Sequence, residues 1–330
     1  MTATSSSAAL DHLDDVALAE RLSSARGRVV AELRKIIVGQ DAVIEQTLVA
    51  LLAGGNCLII GVPGLAKTLL VHSLAQALDL KFSRIQFTPD LMPTDVTGTD
   101  VIRDDPATGR RHLVFMRGPI FANVVLADEI NRTTPKTQSA LFEAMEERQV
   151  TVDGCTRELP RPFLVIATQN PFDYHGTFHL PDSQLDRFLM RLSIGYPDRG
   201  TERAILRTSA DRRVPDAAIG PADVMALLAE AARIEVPELV EEYLLDIVRG
   251  TRSDARFVRG VSTRGAQALH RAVRAWALVS GRRAAVPEDV RAVAVPVLAH
   301  RVLPRSGGGP GGDGGAEAIG AVLDEIPPPL

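Results

Sequence analysis

Apolar residues recur at helical spacing at Val29, Val30, Leu33, Ile36 and Ile37, which predicts a helix with one buried face. The pattern then changes. Cys57 to Ile60 is a short, wholly apolar run, as expected of a strand buried on both sides in a parallel sheet. Helical spacing returns in Leu70, Leu74, Ala77 and Leu78, alternation in FSRIQF (82–87), and a second buried run in VVLA (124–127). Thr134-Pro135 places a cap residue before a proline and opens a predicted helix reaching about Arg148. QVTVDGCTREL (149–159) reads as a hairpin turning at Asp153-Gly154, and FLVIAT (163–168) and RLSI (191–194) are two further strands. Strands alternating with helices predict a parallel α/β sheet. Beyond Asp198 the strand signals stop, and Pro221, Pro237 and Pro287 each stand where an amphipathic helix begins. Tyr243, Leu244, Ile247 and Val248 supply one apolar face there, and Leu269, Val273 and Trp276 another. The predicted organisation is a disordered tail at 1–9, an α/β domain with an N-terminal helix at 10–199 and a smaller all-helical domain at 200–304. The remainder, 305–330, holds a Gly-rich linker, SGGGPGGDGG, and a short closing helix in AEAIGAVLDEI.

Composition narrows the function without naming it. The 330 residues are 45% hydrophobic and 24% charged, and the net charge of −4 argues against a binder of bulk polyanions. The two cysteines, Cys57 and Cys155, form no metal or redox spacing. The first residues, MTATSSSAALDHLDD, carry neither a basic start nor an apolar run, and Asn56 with nearby glycines interrupts the most apolar stretch short of a membrane span. The cytoplasm is the expected compartment.

The chemistry concentrates where predicted strands end. In CLIIGVPGLAKTLL (57–70) a buried strand runs into a glycine-containing loop and then a helix. Backbone N–H groups and the positive helix end can converge there on phosphate oxygens. Gly61 and Gly64 allow close backbone approach, with Val62, Pro63 and Leu65 completing the loop. Lys67 can reach β/γ-phosphates, and Thr68 can ligate Mg²⁺. Ala66 stands where G-x-x-x-x-G-K-[ST] has glycine; it is expected to start the helix, where an L-residue is sterically allowed. A plain strand–helix turn would share these glycines, so a second motif decides. NVVLADEINR (123–132) supplies it, because an apolar strand ending in two carboxylates has no cheap packing explanation. Adjacent side chains of an extended strand point to opposite sides. Asp128 is therefore expected to face a metal through its shell and Glu129 to serve as general base toward an attacking water. Asn170, at the end of the next strand, can orient that water.

IVGQ (37–40), GVPGLAKT (61–68), QFTPDLMPTDVTG (86–98), GPIFANVVLADEINR (118–132), ATQNP (167–171) and LPDSQLDRF (180–188) together resemble the MoxR-type AAA+ ATPases, over residues 25 to 305. The resemblance implies a P-loop AAA+ core, a five-stranded parallel sheet with helices on both faces, and a C-terminal all-helical lid. It also implies ATP and Mg²⁺ as cofactors, a hexameric homo-oligomeric ring, and a chaperone-like role. The expected partners are proteins, such as those with a von Willebrand factor A domain or metalloenzymes under maturation. By the same resemblance Val38, Gly39 and Gln40 flank the adenine, Lys67 and Thr68 are the Walker A pair, and Asp128 and Glu129 the Walker B pair. Asn170 is sensor 1, Arg187 an arginine finger reaching the neighbouring subunit's nucleotide, and Arg264 in GVSTRG (260–265) the sensor 2 contact of the lid with phosphate. Alanine at 66 is common in the family. SGGGPGGDGG departs from it, standing where a more ordinary polar connection is expected. Read on its own, Arg187 is also consistent with a helix-surface residue paired to Asp186.

GTDVIRDDPATGRRHLVFMRGP (98–119) has the composition of an inserted hairpin, a second one beside QVTVDGCTREL, and in the family both lie where substrate is engaged. Arg110 and Arg111 there suit acidic protein or nucleic acid. An ATP-driven remodeller of protein partners is the leading expectation. A magnesium-chelatase-like motor subunit or a nucleic-acid translocase shares the motifs, though the acidic balance and the lack of aromatic–basic interleaving argue against nucleic acid. A nucleotide-dependent sensor or scaffold would need a damaged Glu129 or Arg187, and both are intact.

Overall fold

The computed structural model describes residues 25–105, 110–171, 177–208, 214–305 and 314–329. The expected tail at 1–9 and most of the Gly-rich linker lie outside the described residues. Helix α1 (25–34) and α2 (Asp41–Leu52) precede strand β1 (Cys57–Ile60) and helix α3 (Lys67–Ala77). Then come β2 (Phe82–Gln86), α4 (Pro93–Thr97), the hairpin β3 (Gly98–Asp104) and β4 (Arg111–Arg117), β5 (Val124–Asp128) and α5 (Pro135–Glu147). A second hairpin, β6 (Gln149–Val152) and β7 (Cys155–Glu158), leads to β8 (Leu164–Gln169), α6 (Asp182–Leu185) and β9 (Met190–Ser193). Strands β2-β5-β8-β1-β9 form, in that order, one five-stranded parallel sheet. Both expected hairpins form, and the second turns through Asp153 and Gly154 at positive φ.

Period-two alternation within the buried strands builds two cores. Cys57, Ile59, Val124, Leu126, Leu164, Ile166 and Leu192 join the cluster containing α1, α2 and α3. Leu58, Val125, Ala127, Val165 and Ala167 face the other way, onto Phe142 and Leu141 of α5 and onto Phe188. The sheet is thus covered on both faces, which is why its strands read as continuous apolar runs. Cys57, buried at the start of β1, has its thiol pushed up to about 12 by burial, whereas Cys155 is exposed. A maleimide should therefore label Cys155 alone in the native protein, and both thiols after denaturation, as counted by mass spectrometry.

After β9 follow α7 (Arg199–Thr208), α8 (Pro221–Ala231), α9 (Glu238–Ser253), α10 (Thr263–Val279) and α11 (Pro287–Leu298). Proline opens α8 and α11, and Pro237 caps α9. Tyr243, Leu244, Ile247 and Val248 are buried as their spacing predicts, and these helices share the core of α1–α3. The helical region is not free of strands, however. Phe257–Arg259 (β10) pairs antiparallel with Leu303–Pro304 (β11), two segments too short to show a period in the sequence. The closing helix is real: α12 (Gly314–Glu325) buries Ile319, Val322 and Leu323 in the same core, and Arg291 donates to the Leu323 carbonyl at 2.5 Å.

Candidate nucleotide site

The loop between β1 and α3 is shaped by backbone constraints that glycine relieves at two points for different reasons. Gly64 has φ 86, a left-handed conformation, with open space where a Cβ would stand. At Gly61 a Cβ would lie 2.8 Å from the Ile194 carbonyl oxygen, so its close approach is to β9's end rather than to a ligand. Ala66 corrects the sequence expectation. It does not enter the helix but caps it in the left-handed region, φ 56 and ψ 23, where glycine is the relaxed choice. Ala66→Gly should raise unfolding stability by about 0.5–1 kcal/mol, read from urea titration, with nucleotide binding retained.

Helix α3 has no side-chain cap and no acidic residue in its first turn, which suits its first N–H groups to receive an anion. Lys67 extends beside them, its Nζ donating to the Gly61 carbonyl at 2.5 Å. Burial lowers the Lys67 pKa while Asp128 and Glu129 pull it back up, which places all three charges in one field. Thr68 follows, half-buried in the first turn of the helix.

The two carboxylates stand at the end of β5, but strand alternation is not what separates them. The strand stops at Asp128, and Glu129 adopts a left-handed conformation, φ 57 and ψ 49, which turns its side chain away. Such a strained residue persists only where its surroundings over-determine it. Here the Glu129 N–H donates to Thr168 Oγ1 at 2.9 Å, and Thr168 in turn donates to Asp128 Oδ1 at 2.6 Å. Arg84 donates to Asp128 Oδ2 at 2.7 Å. Glu129 Oε2 accepts from Gln86 Nε2 and from Arg132 Nη1, both at 3.0 Å. No sequence motif singles out Arg84, Gln86, Arg132 or Thr168. Alternation in FSRIQF does put Arg84 and Gln86 on one face of β2, whose register pairs Gln86 with Asp128. Asn170 follows β8 directly where Gly61 N–H donates to the Gln169 carbonyl at 3.2 Å, so it stands at the mouth of the phosphate loop.

Beside the loop lies a cleft of about 520 Å³, large enough for a nucleoside. Val38 and Gln40 line it, as do Gly64, Leu65 and Ala66, with Gly39 turning between the first two at φ 77. Ile36 and Ile37, read from sequence as helix, fall in the turn after α1 and line it too. Tyr196, Ile205 and Leu206, on the β9–α7 segment, form an exposed apolar wall of the cleft that no pattern in the sequence signals.

Arg187 and Arg264 are elsewhere. Arg187 immediately precedes Phe188 and Leu189, and the Leu189 N–H donates to the Asn56 carbonyl, just before β1 starts. The phosphate loop follows the other end of β1, about 13 Å away for four residues at about 3.3 Å each. Arg187 pairs with Glu146 at 3.1 Å and not with Asp186, and Arg264 pairs with the same Glu146 at 2.7 Å. Asp186 pairs with Arg301 at 2.8 Å and more loosely with Arg264 at 3.8 Å, and the buried Arg301 guanidinium also donates to the Phe188 and Leu189 carbonyls. The lid is thereby fastened to the loop that carries Arg187.

A profile of the ATPase family associated with various cellular activities (AAA) matches residues 56–190, and one of the AAA lid domain matches residues 249–319. Chaperone MoxR1 of Mycobacterium tuberculosis is 41% identical over 286 residues, 84% of this chain and 75% of that one. Protein MoxR of Paracoccus denitrificans is 32% identical over 309 residues, 83% of this chain and 87% of that one. The chain belongs to the MoxR family of AAA+ ATPases. Another relative, protein YeaC of Bacillus subtilis, is 42% identical over 291 residues, 87% of this chain and 90% of that one. A crystal structure of a Cytophaga hutchinsonii protein assigned to the ATPases superposes with a TM-score of 0.86 at 34% identity, covering 97% of this chain and all of that one. The MoxR fold expected from sequence is the fold found: a five-stranded parallel AAA+ sheet with a C-terminal lid. Among the described residues no helix is long and apolar enough to cross a membrane.

For a MoxR-family cradle the α3 N-terminus, Lys67 and the adjoining cleft fit a nucleoside polyphosphate. Removing the ammonium leaves phosphate charge only partly met by backbone amides, so Lys67→Ala should abolish ATP binding by calorimetry. Tight binding by the folded variant would count against the cradle.

Proposed function

We propose that this MoxR-family chain hydrolyses ATP in a ring, a hexamer by family resemblance, whose sites are each built from two subunits, and that it uses the cycle to remodel a protein partner. One observation carries the reading: the sheet separates Lys67, Asp128, Glu129 and Asn170 at its C-terminal end from Arg187 and Arg264 at its N-terminal end. A subunit cannot bring its own Arg187 to its own cradle, but a neighbour can.

In this mechanism the α3 N-terminus and Lys67 hold the phosphates, and Val38, Gln40 and the Tyr196 wall hold the base. Thr68 and Asp128 would hold Mg²⁺, which would supply neutralisation of phosphate charge. Glu129 takes the proton of the attacking water after leaving Gln86 and Arg132, and Asn170 orients that water. Arg187 and Arg264 of the adjacent subunit meet the charge that develops on the transferred group. The lid arginine thus serves the neighbour's phosphate, not its own.

The hairpin β3–β4 supports engagement of a protein partner. Ile102 and Leu113 pair directly across it and are 67% and 68% exposed, an apolar spot on an outlying element. A protein with a von Willebrand factor A domain is the partner class we favour, and metalloenzyme maturation the setting. Turnover per subunit should rise with protein concentration as rings assemble and rise again with such a partner. Flat specific activity over a wide dilution range would contradict the shared site, and stimulation by DNA instead of protein would contradict the partner class.

A further inference from the structure

Glu146 is the last-turn residue of α5 that receives both arginines, one on each carboxylate oxygen: Arg187 Nη1 lies 3.1 Å from Oε2 and Arg264 Nη2 2.7 Å from Oε1. The two cations come from different parts of the fold, one from the loop before β9 and one from the first turn of lid helix α10. One turn earlier on the same face of α5, Phe142 lies under Arg187, whose guanidinium carbon is 5.4 Å from the ring centroid. We propose that Glu146 is a positioning residue that clamps Arg187 and Arg264 into a single two-pronged cation aimed at the neighbouring subunit's phosphates. The proposal rests on the shared-site reading and assigns to Glu146 a part of it.

Charge balance explains why a carboxylate is needed there. Arg271, two turns along α10, has its pKa lowered by burial and then by Arg264 and Arg148. Buried Arg301 has its pKa lowered to about 10, chiefly by burial, with Asp186 opposing and Arg264 and Arg271 adding to the fall. Asp186 Oδ2 lies 3.8 Å from Arg264 Nε and offsets part of its charge, but without the anion that the two share, Arg187 and Arg264 would still repel each other and the rest of this cluster. Glu146 cancels that repulsion while occupying only part of each guanidinium's five donors, so N–H groups remain on both for phosphate. It also ties the lid to the Arg187 loop, so both prongs move as one unit. Glu146 touches no reacting atom in this arrangement.

The test uses full-length chains. Glu146→Ala and Glu146→Gln should each lower turnover on the order of 10²-fold, as expected for misplaced catalytic groups. ATP affinity of dilute subunits should stay unchanged, because their own cradles lie at the other end of the sheet. Mixing then locates the defect. Glu146→Ala mixed with Glu129→Gln should regain turnover, since interfaces form between an intact Glu129 and an intact arginine pair. Glu146→Ala mixed with Arg187→Ala should stay inactive, because both chains are damaged on the donating face. Recovery in the second mixture, or near-normal turnover of both Glu146 variants, overturns the clamp while leaving the shared site standing. Loss of ATP affinity in dilute subunits also overturns it. If Arg187→Ala mixed with Glu129→Gln shows no recovery in mixed rings, the shared-site reading falls and the clamp with it.

Discussion

Arg187→Ala should lower ATP turnover by about 10³ to 10⁵-fold, the range seen when an arginine that neutralises transition-state charge is supplied from outside the nucleotide-binding subunit. The binding step should survive. Arg187 stands before β9, at the end of the sheet opposite Lys67, and its contacts with Glu146 and Phe142 are far from the cradle of its own chain. Turnover would be measured by phosphate release at concentrations that favour assembly, and binding by calorimetry on dilute protein. A loss confined to stability, with turnover per folded subunit unchanged, would reduce Arg187 to an ion-pair partner of Glu146.

Glu129→Gln should separate binding from hydrolysis. The amide keeps the volume and can still bond to Gln86 Nε2 and Arg132 Nη1, which lie 3.0 Å from the native carboxylate oxygen. It cannot accept the proton of the attacking water, and a positioned general base contributes typically about 10² to 10⁴-fold. ATP should therefore bind with near-native affinity while turnover falls by that factor. Near-normal turnover would take Glu129 out of the mechanism.

Much of this architecture was legible because sheet burial leaves a strong pattern. Cys57–Ile60, Val124–Asp128 and Leu164–Gln169 read as apolar runs since both faces of the sheet are covered. The cradle was legible for a related reason: strand, glycine loop and helix are contiguous in sequence. What stayed hidden depends on contacts between distant segments or on backbone conformation. The left-handed states of Ala66 and Glu129 leave no side-chain period. The Arg84–Asp128 pair spans two strands, and Glu146 meets Arg264 across 118 positions. Family resemblance makes Arg264 the lid's contact with phosphate, and only the packed lid sets it beside Arg187. The strand pair β10–β11 was missed because two or three residues cannot show alternation.

A site built from two subunits is tested most directly by turnover in a mixture of Arg187→Ala and Glu129→Gln chains, each nearly inactive alone. If the site is shared, interfaces that join an intact Glu129 to an intact neighbouring Arg187 form in mixed rings, and turnover recovers to a fraction set by the mixing ratio. A mixture that stays inactive, although mixed rings are shown to form, would contradict a site built from two subunits.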